Sequence, residues 1–231
     1  MDIAEFDKFA EDYTSTHAQN LGLSGEGPEY FARYKIDEVS RRWAASRLPE
    51  PTSILDFGAG IGSSWPFLAE KFPSAKITAL DVSKKSLDIA ERRFPGLAQA
   101  VVYEGGQIPL PDRTFDLIFS ACVFHHINSS EHVAILSELR RVLKPGGRMA
   151  IFEHNPVNPV TRYIVATCPF DENAVLIPSR KLRQRQIAAG FGKVEIAYTG
   201  FFPGALAAFR RFERYTSALP IGAQYYTLAC A

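Results

Sequence analysis

Short apolar runs alternate along the chain with segments whose apolar residues recur every three or four positions. The runs at Ile54-Leu55-Asp56-Phe57, at AKITALD (75–81), near 99–103, at FDLIFSACV (115–123) and at RMAIFEH (148–154) read as buried strands. Between them, Ile36, Val39 and Trp43, then Trp65, Leu68 and Phe72, then Leu87, Ala90 and Phe94, then Ile135, Leu139 and Val142 fall at helical spacing. Punctuation agrees with these periods. Pro49 and Pro51 close a helix over about 29–47, Pro66 suits a first helical turn, Ser83 is a candidate N-cap, and KPGG (144–147) ends a helix over about 130–143. Strands alternating with helices predict a parallel sheet covered on both faces.

Beyond residue 155 the pattern loosens. NPVNPVTR reads as a Pro-containing loop, and 156–178 has no clean period and is expected to cover the site. PSRKLRQRQIAAGF reads as a helix stopped at Gly190, KVEIAYTGFF as a strand, 203–220 as an insertion rich in basic and aromatic residues, and GAQYYTLACA as a last strand. The predicted organisation is one domain over 1–231. Residues 1–48 precede the first strand, 49–155 hold the regular strand–helix alternation, and 156–231 carry the looser helices with the last two strands.

Charge narrows the choice of partner. Lys and Arg total 26 against 25 Asp and Glu, a net charge of +1 over 231 residues, which gives no broad cationic field for a nucleic-acid backbone. The hydrophobic fraction of 46% supports a packed core, and no run approaches the roughly 18 apolar residues of a membrane span. The first residues are acidic and amphipathic, unlike a signal peptide. Cys122, Cys168 and Cys230 are odd in number and widely separated, which fits a reducing, cytoplasmic compartment better than a disulfide framework.

The chemistry concentrates at the first strand. Asp56-Phe57-Gly58-Ala59-Gly60-Ile61-Gly62 follows a strand and precedes a helix, where glycines permit a tight turn and bring backbone N–H groups close to a ligand. Asp81 ends the next strand, where a carboxylate can accept both hydroxyls of a ribose. A structural turn and a capping Asp are the plainer alternative. A dinucleotide fingerprint is disfavoured, because Ser63 follows Gly62 and the motif is Gly-x-Gly-x-Gly.

That motif resembles motif I of the class I S-adenosylmethionine-dependent methyltransferases. ITALDVS resembles the family's second motif, IPLPDRTFDLIFSACVFHHI its run through the fourth strand, and LRRVLKPGGRMAIFEH its following helix, turn and fifth strand. The resemblance covers roughly 50–155 and implies a doubly wound, mostly parallel, Rossmann-like α/β sheet of seven strands with the last antiparallel. It implies S-adenosylmethionine as cofactor and S-adenosylhomocysteine as product. By the same resemblance Asp56, Gly58, Ala59, Gly60 and Gly62 would line the cofactor, Asp81 hold its ribose and Val82 pack on the adenine. Glu104, in a Tyr103-Glu104 pair where the family has Gly-Asp, would sit near the adenine amine, with Gly105 and Gln107 beside it. Ala121, Cys122 and Val123 would lie beside the methionine portion, and Lys35 or Arg33 would meet the ligand's carboxylate.

Candidate bases are His125 and His126 after the fourth strand and His154 after the fifth, each with a scaffold role as its alternative. No HxH or HxxxH spacing is present, so no metal is expected. By the resemblance 1–48 would form an N-terminal helical lid, 49–155 the cofactor-binding core and 156–231 the acceptor-side helices with the last two strands; Tyr13, His17, Tyr30 and Tyr34 fall in that lid, with Tyr30 and Tyr34 one turn apart as candidate walls of an acceptor pocket. Phe201, Phe202, Phe209, Phe212 and Tyr215 interleave with Arg210, Arg211 and Arg214. They form a homodimer surface, an acceptor pocket or helix packing sooner than a nucleic-acid site. The implied function is methyl transfer to a small-molecule acceptor, oxygen first. The alternatives are a cofactor-binding enzyme of other chemistry, a silent binding protein of the same fold, and a nicotinamide oxidoreductase.

Overall fold

The computed structural model describes residues 26–202 and 204–231. Seven strands form one sheet in the order β3-β2-β1-β4-β5-β7-β6. They are β1 (Ser53–Phe57), β2 (Lys76–Asp81), β3 (Ala98–Val102), β4 (Phe115–Ala121), β5 (Leu143–His154), β6 (Val194–Thr199) and β7 (Gln224–Cys230). All run parallel except β7, which pairs antiparallel with both β5 and β6. The chain leaves β1 toward β2 on one side and later enters β4 on the other. The carboxyl ends of β1 and β4 therefore flank the point where strand order reverses, the crevice in which such sheets bind ligands.

Alternation along β1 shows why both faces need cover. Ile54 joins a cluster with Ile77, Leu117, Phe119, Phe67, Leu68 and Phe72, whereas Leu55 and Phe57 join the opposite cluster with Ile118, Leu136, Leu139 and Leu182. Helices α1 (Pro28–Ala45) and α2 (Trp65–Lys71) cover the first face. Helix α3 (Lys84–Arg93) extends that layer through Leu87 and Ala90 against Ala79 and Trp65. Helices α4 (His132–Val142) and α6 (Ser179–Ala188) cover the other face. Ser83 caps α3 as its sequence position predicts, its Oγ accepting the Ser86 N–H at 3.0 Å.

Three details depart from the sequence reading. KPGG does follow the end of α4, yet β5 starts at Leu143 and absorbs it as a bulge, the pairing jumping from Phe115↔Leu143 to Leu117↔Arg148. The stretch without a period contains a helix, α5 (Pro159–Thr167), capped by Asn158, whose Oδ1 accepts the Thr161 N–H at 3.0 Å. The described part of the expected lid is α1, which buries Ile36, Val39 and Trp43 against the sheet as a full member of its layer. Tyr13 and His17 lie outside the described residues.

One acidic side chain ties the amino ends of the central strands together. Asp116 Oδ2 accepts the N–H groups of Thr52 and Ser53 at 3.0 and 3.1 Å and their hydroxyls at 2.9 and 2.8 Å, while Oδ1 accepts from Lys144 Nζ at 2.7 Å. Burial alone would raise the Asp116 pKa, but the Lys144, Ser53 and Thr52 donors outweigh it and hold it down at about 2. A depressed native pKa contributes stability above the unfolded value of about 3.9 and loses it as pH falls toward 2. Acid unfolding followed by circular dichroism is therefore expected to be shallower between pH 4 and pH 2 for Asp116→Asn than for the native chain. Identical slopes there would remove Asp116 from the acid response.

Candidate active site

The glycine turn after β1 divides its labour. Gly58 and Gly62 each have φ of +74°, and a Cβ on Gly58 would lie 2.2 Å from Val123 Cγ2, one on Gly62 2.9 Å from Ala90 Cβ. These two glycines are required by neighbouring atoms of the protein itself. Gly60, at φ +52°, would meet nothing within 4 Å, so the turn keeps an open cradle above it. The Gly60 N–H donates to Asp81 Oδ2 at 2.7 Å and the Ser83 N–H to Oδ1 at 2.9 Å, which fixes the carboxylate at the carboxyl end of β2 facing the cradle. A carboxylate offers about four acceptor sites, enough for ribose hydroxyls in addition to these N–H groups. Beneath the turn Asp56 is buried and its Oδ2 has no hydrogen-bond partner. Burial, aided by the Asp81 charge, raises the Asp56 pKa to about 7. Val82 is half-buried against the core, and Glu104 is exposed in the loop after β3 beside Gly105 at φ +94°.

The end of β4 carries a second cluster. Cys122 follows Ala121 with φ of +59°, a left-handed conformation that a non-glycine residue adopts at a cost and that concentrates at functional sites. Its Sγ lies 3.7 Å from Lys35 Nζ on α1 and 3.7 Å from Gln224 Nε2 on β7. Burial pushes the thiol up, but the Lys35 ammonium and the His154 imidazole reverse the shift and bring its pKa to about 7. The thiolate in turn raises the His154 pKa against the effect of burial. Lys35 thus reaches the carboxyl edge of the sheet, whereas Arg33, its alternative, is engaged with Glu70 at 3.1 and 3.2 Å.

The three predicted histidines meet in one group, with separate surroundings. His125 is buried at 1% exposure, its Nδ1 2.6 Å from Glu153 Oε2, and Glu153 Oε1 also accepts the N–H groups of Val123 and Phe124 at 3.2 and 2.8 Å. Burial opposes a proton on His125, yet Glu153 and Asp171 raise its pKa to about 10. Burial lowers the His126 pKa to about 4, with the His125 charge adding to the effect. His125 therefore braces the turn after β4, and its ring lies 5.3 Å from that of His154. On α1, Tyr30 and Tyr34 stack at 6.0 Å, Arg210 covers Tyr30 at 4.4 Å, and the Tyr34 hydroxyl donates to Glu213 at 2.8 Å and contacts Thr199.

Comparison with known proteins reads the same core. The methyltransferase domain family matches residues 54–147. A demethylmenaquinone methyltransferase of Thermotoga maritima is 40% identical over 108 residues, 47% of this chain and 46% of that protein. A trans-aconitate 2-methyltransferase of Methylobacterium radiotolerans is 30% identical over 151 residues, 62% of this chain and 56% of that one. The chain spans about half the length of the curated relatives it matches. Among solved structures, an S-adenosylmethionine-dependent methyltransferase of Thermotoga maritima superposes with a TM-score of 0.67 at 18% identity, covering 98% of each chain. Over residues 54–147 the chain is similar to the methyltransferase domain family, and its fold is that of solved S-adenosylmethionine-dependent methyltransferases.

In this chain the matched region ends within β5, so His154, α5 and everything after them lie beyond it. Three side chains that shape the site escaped the sequence reading. Asp171 stands 3.4 Å from His125 Nε2 and 3.5 Å from His126 Nε2. Glu213 accepts from Tyr34 and from the N–H groups of Phe201 and Phe202 at 3.0 and 3.3 Å. Gln224 approaches Cys122. None belongs to a local motif; only the isolated polar letters in apolar surroundings, as in CPFD and ACA-flanked β7, hint at them.

Two outcomes follow from the turn and the thiol. Gly60→Ala is expected to cost about 1–2 kcal/mol for its left-handed φ, and Gly58→Ala about 1–3 kcal/mol more because Val123 must move; equal melting temperatures for the two would refute the packing role of Gly58. Iodoacetamide alkylation of Cys122, tracked by peptide mass spectrometry, is expected to reach half its limiting rate near pH 7. Lys35→Met is expected to move that midpoint upward. A native midpoint at the ordinary thiol value of about 8.5 would dissolve the Lys35–Cys122–His154 coupling.

Proposed function

We propose that the protein transfers a methyl group from S-adenosylmethionine to a small-molecule acceptor, with oxygen as the acceptor atom. The observation that carries the reading is the Asp81 carboxylate, held by the Gly60 and Ser83 N–H groups beside an open glycine cradle at the reversal of strand order. The residues present fit the cofactor. Asp81 holds the ribose, the Gly58–Gly62 turn admits the methionine portion, Val82 packs on the adenine, and Lys35 meets the carboxylate end. When bound, S-adenosylmethionine supplies a methyl carbon on a sulfonium, and displacement leaves the electron pair on sulfur as a neutral thioether. The protein's part is to align an acceptor with that carbon and to exclude water.

His154 is the residue we assign to proton removal from an acceptor hydroxyl, because it ends β5 next to Cys122 while His125 is occupied with Glu153. The acceptor side is built from α1, α5, the 204–216 segment and Gln224, none of which the family match covers. Near-zero net charge supports a small molecule over a nucleic acid, and no helix among the described residues is long and apolar enough to cross a membrane. Cys122, Cys168 and Cys230 form no disulfide among the described residues, which supports a reducing, cytoplasmic setting. The exposed Phe209, Phe212 and Tyr215 support a homodimer contact, read out by sedimentation.

Calorimetry is expected to show binding of S-adenosylmethionine and S-adenosylhomocysteine but not NAD, with Asp81→Ala weakening both about 10- to 100-fold through the lost charged hydrogen bonds. Unchanged affinity in Asp81→Ala would sink the cofactor assignment. Native protein that binds the cofactor yet forms no S-adenosylhomocysteine with any of a broad panel of hydroxyl, amine and carbon acceptors would instead be a silent binder. Full turnover in His154→Ala would remove that histidine from proton transfer.

A further inference from the structure

Asp171 belongs to no motif, comes from a turn (Pro169–Asp171) that follows α5, and ends against two consecutive imidazoles from a different part of the chain. One carboxylate oxygen, Oδ1, faces both rings: His125 Nε2 at 3.4 Å and His126 Nε2 at 3.5 Å. These separations are long for a charge-assisted hydrogen bond, which closes to about 2.7–2.9 Å. Buried His125 Nε2 has no closer polar partner among the described residues. The distances instead match the edge of a coordination tetrahedron. Metal–ligand bonds of about 2.0–2.1 Å set neighbouring donor atoms about 3.4 Å apart. The three donor atoms lie within 4.8 Å of one another, so the His125–His126 edge needs at most a small ring rotation to close.

The other nitrogen of His125 supplies the supporting half of such a site. Its Nδ1 is 2.6 Å from Glu153 Oε2, and Glu153, at 0% exposure, is held in turn by the Val123 and Phe124 N–H groups. A carboxylate on one imidazole nitrogen holds the proton there, so that an ion displacing the opposite nitrogen's proton to solvent meets an aimed lone pair, the arrangement that recurs behind metal-ligating histidines. The outer ligands are reachable from solvent: the His126 and Asp171 side chains are 13% and 12% exposed. Asp171 also lines a cavity of about 540 Å3 with Arg162, Tyr163 and Glu172.

We propose that His125, His126 and Asp171 form a binding site for one borderline divalent transition metal of the Zn2+, Co2+ or Fe2+ class, with Glu153 orienting His125. Two imidazoles and one carboxylate suit this class better than Mg2+ or Ca2+, which favour all-oxygen shells. Three protein ligands leave coordination positions open to an oxygen donor entering by way of the cavity. The spacing rule applied to the sequence misses this set because only the two histidines are adjacent in the chain; the fold delivers the third ligand.

Metal binding at this cluster requires neither the cofactor nor methyl transfer, so it is read on the protein alone. Purified full-length protein, stripped with chelator, is titrated at neutral pH with Co2+ and followed by visible absorption. The expected result is one saturable site per chain with the intense bands of a four- or five-coordinate ion, displaced stoichiometrically by Zn2+. No thiolate-to-cobalt charge transfer is expected, since no cysteine is a ligand. His126→Ala and Asp171→Asn, each checked for native circular dichroism, are expected to weaken Co2+ at least tenfold, and Glu153→Gln by about 10- to 100-fold. If Asp171→Asn fails to fold, the more exposed His126→Ala decides the matter alone. Absence of a saturable site, unchanged Co2+ affinity in folded His126→Ala, or a thiolate band reporting Cys122 would each overturn the assignment.

Discussion

Glu153 lies fully buried at the end of β5, and its two oxygens hold the chain segment that follows β4. A buried carboxylate is tolerated only when paired and hydrogen-bonded. Here the backbone N–H groups of Val123 and Phe124 and the imidazole of His125 supply the partners. The pairing converts the loop after β4 into a fixed 3-10 turn, Phe124–His126, at the carboxyl edge of the sheet. The rest of the edge depends on that fixation. Val123 is pressed against Gly58, which forces glycine at the first position of the nucleotide-side turn. Cys122, just before the turn, is driven to its left-handed φ of +59°. The cofactor side and the acceptor side are thus braced by one charge, carried by the residue that precedes His154.

A sheet of this topology gathers ends of strands that are remote in sequence, and the electrostatics at its edge show the consequence. Asp56 and Asp81 lie near the ends of neighbouring strands, and the Asp81 charge adds to burial in raising the cost of ionising Asp56. One strand further along, Lys35, His154 and Cys122 form a group of opposite character in which cationic neighbours stabilise a thiolate. The ring of Tyr30 is stacked on Tyr34, one residue before Lys35, and covered by Arg210. Opposed charge environments thus stand side by side at this edge, carboxylates at β1 and β2 and the Lys35 cation beside the end of β4.

Legibility in the sequence follows how locally each feature is encoded. The β1–turn–α2–β2 unit is readable because Ile54, Leu55 and Phe57, the three glycines and Asp81 lie close together and each obeys a local rule. Ser83 as an N-cap and the stop at Gly190, φ +91°, are equally local. Helix α5 was hidden because Pro156 and Pro159 signal a loop, although Pro159 opens the helix at the position where proline is tolerated. KPGG carried two messages, a helix end and a strand bulge, and only the first has a sequence rule of its own. Asp171, Glu213 and Gln224 were out of reach for another reason. Their partners are 46, 179 and 102 positions away in the chain, as in His125, Tyr34 and Cys122, and no period spans such intervals.

The same asymmetry separates the two halves of the site physically. The cofactor half rests on contiguous chain and on strands bonded to two neighbours, so its atoms are held by many cooperative backbone hydrogen bonds. The acceptor half rests on a few long-range side-chain links. Glu213, 8% exposed, accepts from Phe201, Phe202 and Tyr34 and so joins the 204–216 segment to α1, while Asn155 joins the end of β5 to Pro220 and Gly222 through hydrogen bonds of 3.1 and 2.8 Å. Under the proposed function, acceptor recognition changes through a handful of such positions while the glycine-turn geometry stays fixed, which is consistent with relatives that share the core region of this chain and carry the names of different acceptors.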